Sequence, residues 1–416
     1  MPNSNPSPVS AGAVAGSHRT AGSFWLIAAG FLGMMAGAGA PSPVYRVYQQ
    51  VWGYSPSIVA TVFVVYVVAL LVALLVLGNL SDRAGRRRVL VVSLGVLSCA
   101  MLLFAFARGL PDLLAARALQ GLATGAATGA FGASVIDLQP ADRTQRGSFV
   151  TAVAPTLGPG SGALLSAVLI ETLPWPRRTV FLVLAVGYLV VAVLIARLDA
   201  DSLDVRRPRA PGASRGRLQL PRAFRTVFAR FAPTLIAAWS VGGLFLALAP
   251  SFMPEVFGVR NVVASTLTIF VLLGAGAVTA AILQRKSATR RGTVIACGGL
   301  ALGSMMLAAG VLAHSMTVFL AGCLLSGVAF GAGLFLATAV VSRSIPADQR
   351  SGALSVIFVV NYVAFALPPL LAGVCATRFG FTPTLLVYLG ATTALAVVAA
   401  VTLATGAEGG RRVCTS

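Results

Sequence analysis

The chain alternates between long apolar stretches and short polar ones rich in arginine, over almost its whole length. A helix needs about 20 mostly apolar residues to cross a bilayer. Twelve stretches meet or approach that length: 23–43, 57–78, 89–107, 111–135, 148–170, 179–197, 232–253, 262–284, 293–313, 316–341, 352–376 and 382–404. The clearest, SIVATVFVVYVVALLVALLVLG at 57–78, carries no charge. The stretch 179–197 is short, and 232–253 has a proline near each end. The pattern predicts an all-α integral membrane protein with twelve transmembrane helices.

Composition agrees: 57% of the 416 residues are hydrophobic and only 10% are charged. Soluble domains carry about 25% charged residues. The mean hydropathy is +0.89. The net charge of +20 raises the possibility of nucleic acid. Its distribution argues against that, because the arginines lie in short blocks between apolar stretches, as membrane loops do. With both termini in the cytoplasm, the loops on that side hold twenty-four basic residues and the outer loops six. That asymmetry predicts the orientation. Lys286 is the single lysine, and Ala, Gly and Val abound. Such usage fits a high-GC bacterial genome, so the expected location is the bacterial inner membrane.

The expected organisation is a disordered cytoplasmic tail at 1–22, a six-helix bundle at 23–198, a cytoplasmic linker at 199–229, a second six-helix bundle at 230–405 and a tail at 406–416. The segment RAFRTVFARF (222–231) reads as a short amphipathic helix on the inner surface. Residues 1–22 lack the features of a signal peptide. No CxxC occurs, so neither a disulfide nor a metal site is expected. GASRG (212–216) fits a serine-hydrolase elbow, but it sits in a basic linker in a chain with only two histidines. No phosphate-binding GxxxxGK[ST] is present. The chain reads as neither an enzyme nor a cofactor protein.

The halves repeat each other. Gly121, Gly125, Pro140, Ala141 and Asp142 recur 206 residues later as Gly327, Gly331, Pro346, Ala347 and Asp348. Ala40-Pro41-Ser42 recurs as Ala249-Pro250-Ser251, and Val51-Trp52-Gly53 as Val256-Phe257-Gly258. Two repeated six-helix halves suggest a carrier that binds substrate between them, near the midplane.

Three segments carry candidate chemistry. The loop GNLSDRAGRRRVL (78–90) keeps one acid among arginines, which a simple positive anchor does not require. The equivalent loop, QRKSATRRG (284–292), keeps arginines but no acid, and its Gly292 aligns with Gly85. In RALQGLATGAATGA (117–130), Arg117 lies within an apolar stretch, with Gln120 and Gly121 on the same helix face. Arg117 either lines an internal cavity or snorkels to the outer headgroups. Gly121, Gly125, Gly129 and Ala133 form a small-residue stripe suited to helix packing. In APTLGPGSGALL (154–165), Pro159 removes a backbone donor and bends the helix. The glycines there are expected to slide against span 8 or 11.

These segments resemble the major facilitator superfamily, in particular its twelve-span drug/proton antiporters. Gly78, Asp82, Arg83, Gly85, Arg86 and Arg87 match that family's loop signature G-x-x-x-D-R-x-G-R-[RK]. Arg117, Gln120 and Gly121 match its span-4 signature R-x-x-Q-G. Gly158, Pro159 and Gly162 match most of its antiporter signature, with Ala154 and Ala163 in place of two glycines. The resemblance implies two pseudo-symmetric six-helix bundles and export of small organic or drug-like compounds. It also implies a gating lock in which Asp82 and Asp137 share Arg86, with Arg83 facing the start of span 11. The alternative for Asp137 is a solvated loop residue.

Uptake of a small, possibly anionic, metabolite in the same fold is the other functional reading. All eleven acids fall in loops or at span ends, so no carboxylate stands at mid-membrane to carry a proton. Glu255, then Asp137, are the remaining titratable candidates. Tyr45, Arg46 and Tyr48 near the mouth, with Tyr66, Arg117, Gln120, Trp239, Asn361 and Tyr362, are the expected cavity lining. Expected partners are a small-molecule substrate, protons and the lipid bilayer, with the chain acting as a monomer.

Overall fold

In the computed structural model of the chain, residues 9–78, 80–140, 145–198, 203, 222–284, 286–343 and 350–405 are described. Every regular element among them is a helix: α1 (Val9–Gly39), α2 (Pro41–Trp52), α3 (Pro56–Leu77), α4 (Leu80–Ala84), α5 (Arg86–Ala105), α6 (Leu110–Asp137) and α7 (Arg146–Thr172). There follow α8 (Thr179–Ala196), α9 (Arg222–Phe257), α10 (Val262–Leu283), α11 (Arg290–Leu312), α12 (Met316–Arg343), α13 (Arg350–Phe379) and α14 (Phe381–Thr405). All twelve expected spans lie on these helices. Among the described residues, eleven segments are long and apolar enough to cross a membrane. The remaining one, α6, is 28 residues long, but its Gly/Ala-rich sequence with Asp112 and Arg117 makes it less apolar.

Element ends follow local chemistry. Ser55, Asn261 and Thr289 cap α3, α10 and α11 by accepting from backbone N–H groups one turn on. Pro41 has no N–H to continue α1, so span 1 breaks there and resumes as α2. The expected tail at 1–22 turns out helical from Val9, since no proline interrupts Val9–Gly39; residues 1–8 and 406–416 lie outside the described residues. So does most of the linker 199–229, together with Ala141, Asp142, Pro346, Ala347 and Asp348. The expected surface helix at 222–231 is instead the first part of α9. At 36 residues α9 is about 54 Å long, more than the ~30 Å hydrocarbon core needs.

Helices α1–α8 pack among themselves, as do α9–α14, and in matching pairs. In the first group α3 packs on α6, α5 on α6 and α8, and α1 on α7. In the second, α10 packs on α12, α11 on α12 and α14, and α9 on α13. The glycine stripe shows the correspondence in detail. Gly121 and Gly125 press on the backbone carbonyls of Tyr66 and Leu70, while Gly327 and Gly331 press on those of Leu272 and Gly276. Each residue of the second set lies 206 positions after its counterpart. Gly121 and Gly125 are therefore packing positions, because a Cβ on either would overlap the facing backbone. The two groups meet along α3 and α13, along α7 and α10, and where α2 crosses α9.

Candidate functional site

Arg117 is fully buried at 0% exposure. It does not reach the surface, which removes the snorkelling alternative. Its Nε donates to the Tyr45 hydroxyl at 2.7 Å, and Nη2 donates to the same oxygen. Nη1 donates to Gln120 Oε1 at 2.7 Å and to the Ala38 carbonyl at 3.4 Å. Gln120 Nε2 in turn donates to the Gly37 carbonyl at 2.7 Å. The rings of Tyr66, Tyr45 and Phe104 surround the guanidinium at 5.1, 5.3 and 5.6 Å. Among the described residues the ion pair is Arg86 with Asp137, so no carboxylate neutralises Arg117. Neutral oxygens and aromatic faces hold a charge that burial otherwise makes costly. The carbonyls of Gly37 and Ala38 stand near the end of α1, where helix carbonyls lack intrahelical partners.

Across the interface, Trp239 on α9 meets Phe330 and Phe365 edge-on and leans on Tyr362. Phe365 also meets Phe63 of α3 at 5.1 Å, so an aromatic chain links the two groups. Tyr362 lines a cavity of about 270 Å³ between α3 and α13. Trp239 Nε1 and Asn361 Oδ1 are buried without a hydrogen-bond partner among the described residues. A donor and an acceptor of this kind are available to a guest molecule or to water.

Two of the candidate residues stand away from Arg117. Arg46 Nη1 donates to the Arg260 carbonyl at 2.6 Å and bridges the groups at their rim. Glu255 is exposed and accepts from the Phe381 N–H at the start of α14. Tyr48 stacks on Trp52 at 4.6 Å. Sequence reasoning missed Phe63, Phe104, Phe330 and Phe365. One signal was available: Phe63 and Asn361 stand one turn from Tyr66 and Phe365, so each pair shares a face.

It also missed the hydrogen bonds that join the two groups. Ser42 Oγ donates to the Leu246 carbonyl, and Ser251 Oγ donates to Gln49 Oε1 at 2.7 Å. Val262 N–H donates to Glu171 at 2.7 Å, and Ser57 N–H to Thr377 at 3.1 Å. With the Arg46 bond these lie at one end of the molecule. The recurring Ala-Pro-Ser triplets, which contain Ser42 and Ser251, were the available signal.

The opposite end carries the loop at 78–88. Arg86 pairs with Asp137, their side chains 14% and 11% exposed, so Asp137 is not a solvated loop residue. Arg87 donates to the Ala196 carbonyl at the end of α8, where a cation is favoured. Gly85 adopts φ +87° as it leads into α5, a conformation suited to glycine. Gly292 does not serve the same purpose. It lies in the first turn of α11 and donates to Thr289. Gly78 is the turn after α3, and its carbonyl faces Gly129. Arg83 is exposed; the side chain of Asp82, in α4, lies outside the described residues.

The span-5 segment meets span 8, which is α10, as expected, and it also meets α1. Gly158 and Gly162 mate with Met35 and Ala36 of α1, within the same group. Gly160 faces Phe270 and Leu273 of α10. Gly39, at the break in span 1, lies on the Pro159 carbonyl.

Two groups of membrane-length helices that meet beside a buried polar centre fit a membrane transporter. The sequence profile described as Major Facilitator Superfamily matches residues 26–367, and the chain belongs to that family. The family and fold are those of transporters of small molecules, not of enzymes. Multidrug resistance protein D of Escherichia coli (strain K12) is 28% identical over 222 residues, 51% of this chain. That match spans about half of the relative, 52% of its length. The fold is similar to a bacterial homologue of the human lysosomal transporter Spinster in an inward-facing, unoccupied conformation. There the TM-score is 0.73 at 14% identity, over 92% of this chain and 96% of the other. It is also similar to the nucleoside transporter NupG, with TM-score 0.70 at 12% identity over 91% and 98%. The xylose transporter XylE from E. coli, inward open, gives TM-score 0.72 at 13% identity over 92% and 95%.

Proposed function

We propose that the chain exports small organic or drug-like compounds by alternating access. In this reading it is a monomer of twelve spans in two pseudo-symmetric six-helix bundles, 23–198 and 230–405, in the bacterial inner membrane with both termini cytoplasmic. The observation that carries it is the bonding of the bundles to each other at one end. Among the described residues, the bonds Ser42–Leu246, Arg46–Arg260, Ser57–Thr377, Ser251–Gln49 and Val262–Glu171 tie the bundles at the end that the loop charges assign to the outside. The buried centre then faces the cytoplasm, the side from which an exporter loads. The span-5 signature and the partial match to a multidrug resistance protein support the outward direction.

The loop at 78–88, with Gly78, Asp82, Arg83, Gly85, Arg86, Arg87 and Asp137, acts as the lock of the outward-open state. Arg86–Asp137 braces it against α6, and the helix end favours an acid facing it. Tyr45, Tyr66, Arg117, Gln120, Trp239, Asn361 and Tyr362 form the central site. Proton coupling in this reading draws on acids at span ends, Glu255 first and Asp137 next. The test is accumulation of a dye and antibiotic panel in expressing cells against an Arg117→Ala control. Lower accumulation with the wild type supports export, and higher accumulation supports uptake instead. Liposomes with an imposed pH gradient report the coupling ion.

A further inference from the structure

We infer that Tyr45 is an internal stand-in for an anionic substrate at Arg117, and that α2 transmits this occupancy to the contacts holding the outer ends together. The inference rests on the alternating-access reading above and names its substrate class: organic anions bearing a carboxylate, sulfonate or phosphate oxygen.

The first argument is the chemistry of the centre. A guanidinium stays charged at any physiological pH. Here it is wholly buried with no carboxylate as counter-ion among the described residues. Nε and Nη2 instead converge on one phenol oxygen. Those two donors form the fork that suits a carboxylate or phosphate. A neutral phenol is the weaker acceptor, so an anion that reaches the fork displaces it.

The second argument is where Tyr45 sits. Helix α2 is a separate 12-residue segment, set off from α1 by the Gly39-Ala40-Pro41 break. Ser42, Tyr45, Arg46 and Gln49 stand at i, i+3, i+4 and i+7, on one face. Three of these four make bonds to the second bundle: Ser42 to Leu246, Arg46 to Arg260 and Gln49 to Ser251. The fourth holds Arg117. A short helix cannot turn to release one of them without disturbing the others. The break itself rests on the span-5 segment, since Gly39 lies on the Pro159 carbonyl. That places the pivot of α2 at Pro159 of α7.

The sequence of events follows from these contacts. An anion entering from the cytoplasmic side takes the Nε and Nη2 donors. Tyr45 is released, α2 rotates about Gly39, and the three bonds to α9 and its following loop lose their geometry. The outer ends part while the inner ends close.

Hydrogen–deuterium exchange on the full chain in nanodiscs tests this without a known substrate. Tyr45→Phe removes the phenol acceptor. Uptake should rise several-fold in segments 41–57 and 246–262 and fall in 78–90, because one end opens as the other closes. A side chain that merely filled space would raise uptake at both ends, and that result, or no change, overturns the inference. Should Tyr45→Phe not fold, the wild type titrated with carboxyfluorescein must show the same opposed changes. Arg117→Gln must not show them. Equal responses in both proteins, or no response to the anion in the wild type, also overturn it. Export of the panel without the opposed changes would sink the Tyr45 linkage and leave the export reading standing. The opposed changes without export would sink only the export reading.

Discussion

Consider Gln120→Leu, which keeps the shape of the centre but removes one acceptor and one donor. Arg117 Nη1 then retains only the 3.4 Å bond to Ala38, and the Gly37 carbonyl loses its 2.7 Å donor. Each buried polar group left unsatisfied costs about 1–3 kcal/mol, more when charged. The variant should therefore lose about 2–6 kcal/mol. At roughly 2 °C per kcal/mol, the low end for large chains, its melting temperature falls by about 4–12 °C. Adding Arg117→Met should reverse most of that fall. A buried charge that has lost its partners is more costly than a well-packed apolar side chain of similar volume. The assay is thermal unfolding of purified protein in detergent, read by intrinsic fluorescence, for the wild type, both single variants and the double. Transport should be lost in every variant lacking Arg117, even where stability recovers. If Arg117→Met lowers the melting temperature further in the Gln120→Leu background, or the two effects simply add, the cage is not compensating a buried charge.

Three further outcomes follow from other contacts. Gly162→Val should abolish recoverable folded protein, because a Cβ there overlaps the Ala36 backbone, whereas Gly33→Ala, which meets nothing within 4 Å, should purify like the wild type. Asp137→Asn should cost about 1–3 kcal/mol and lower dye export, since the pair it breaks is mostly buried; Asp112→Asn, at an exposed helix start, should change export little. Gly85→Ala should cost roughly 1–3 kcal/mol by thermal unfolding, because its φ of +87° is strained for any residue with a side chain.

The spans were legible because apolar runs of helical length have few alternative readings in so hydrophobic a chain. Arg117 and Asp137 were legible because a charge in or beside such a run demands a partner. What escaped the sequence depends on partners far along the chain. Gly158 and Gly162 promise a close helix crossing, but nothing in their spacing says that α1 is the helix crossed. Gly292 aligns with Gly85, yet its conformation is set by the Thr289 cap, which places it inside a helix. Arg222–Phe231 is amphipathic, and amphipathicity alone does not separate a surface helix from the extension of a spanning one. Pro41 belonged to a repeat, and its power to split span 1 was lost under the apolarity of its neighbours.

Helix α6 shows why apolarity is an incomplete guide to such a fold. Hydropathy measures how well a segment suits lipid, but α6 meets protein over most of its surface. Arg117, Gln120, Thr124 and Ser134 are buried, while Leu122 and Ile136 are among its exposed side chains. Its glycines lie against α3, and α5 and α1 cover other faces. A helix so enclosed can carry a charge and many small residues, because neighbouring oxygens and rings replace water and lipid as its solvent. The helix least suited to the bilayer is for that reason the one free to carry the chemistry. Its second-half counterpart, α12, has Cys323 where α6 has Arg117, yet packs on α10 through equivalent glycines. Packing thus accounts for the glycines in both halves, and the arginine in one half alone requires a function.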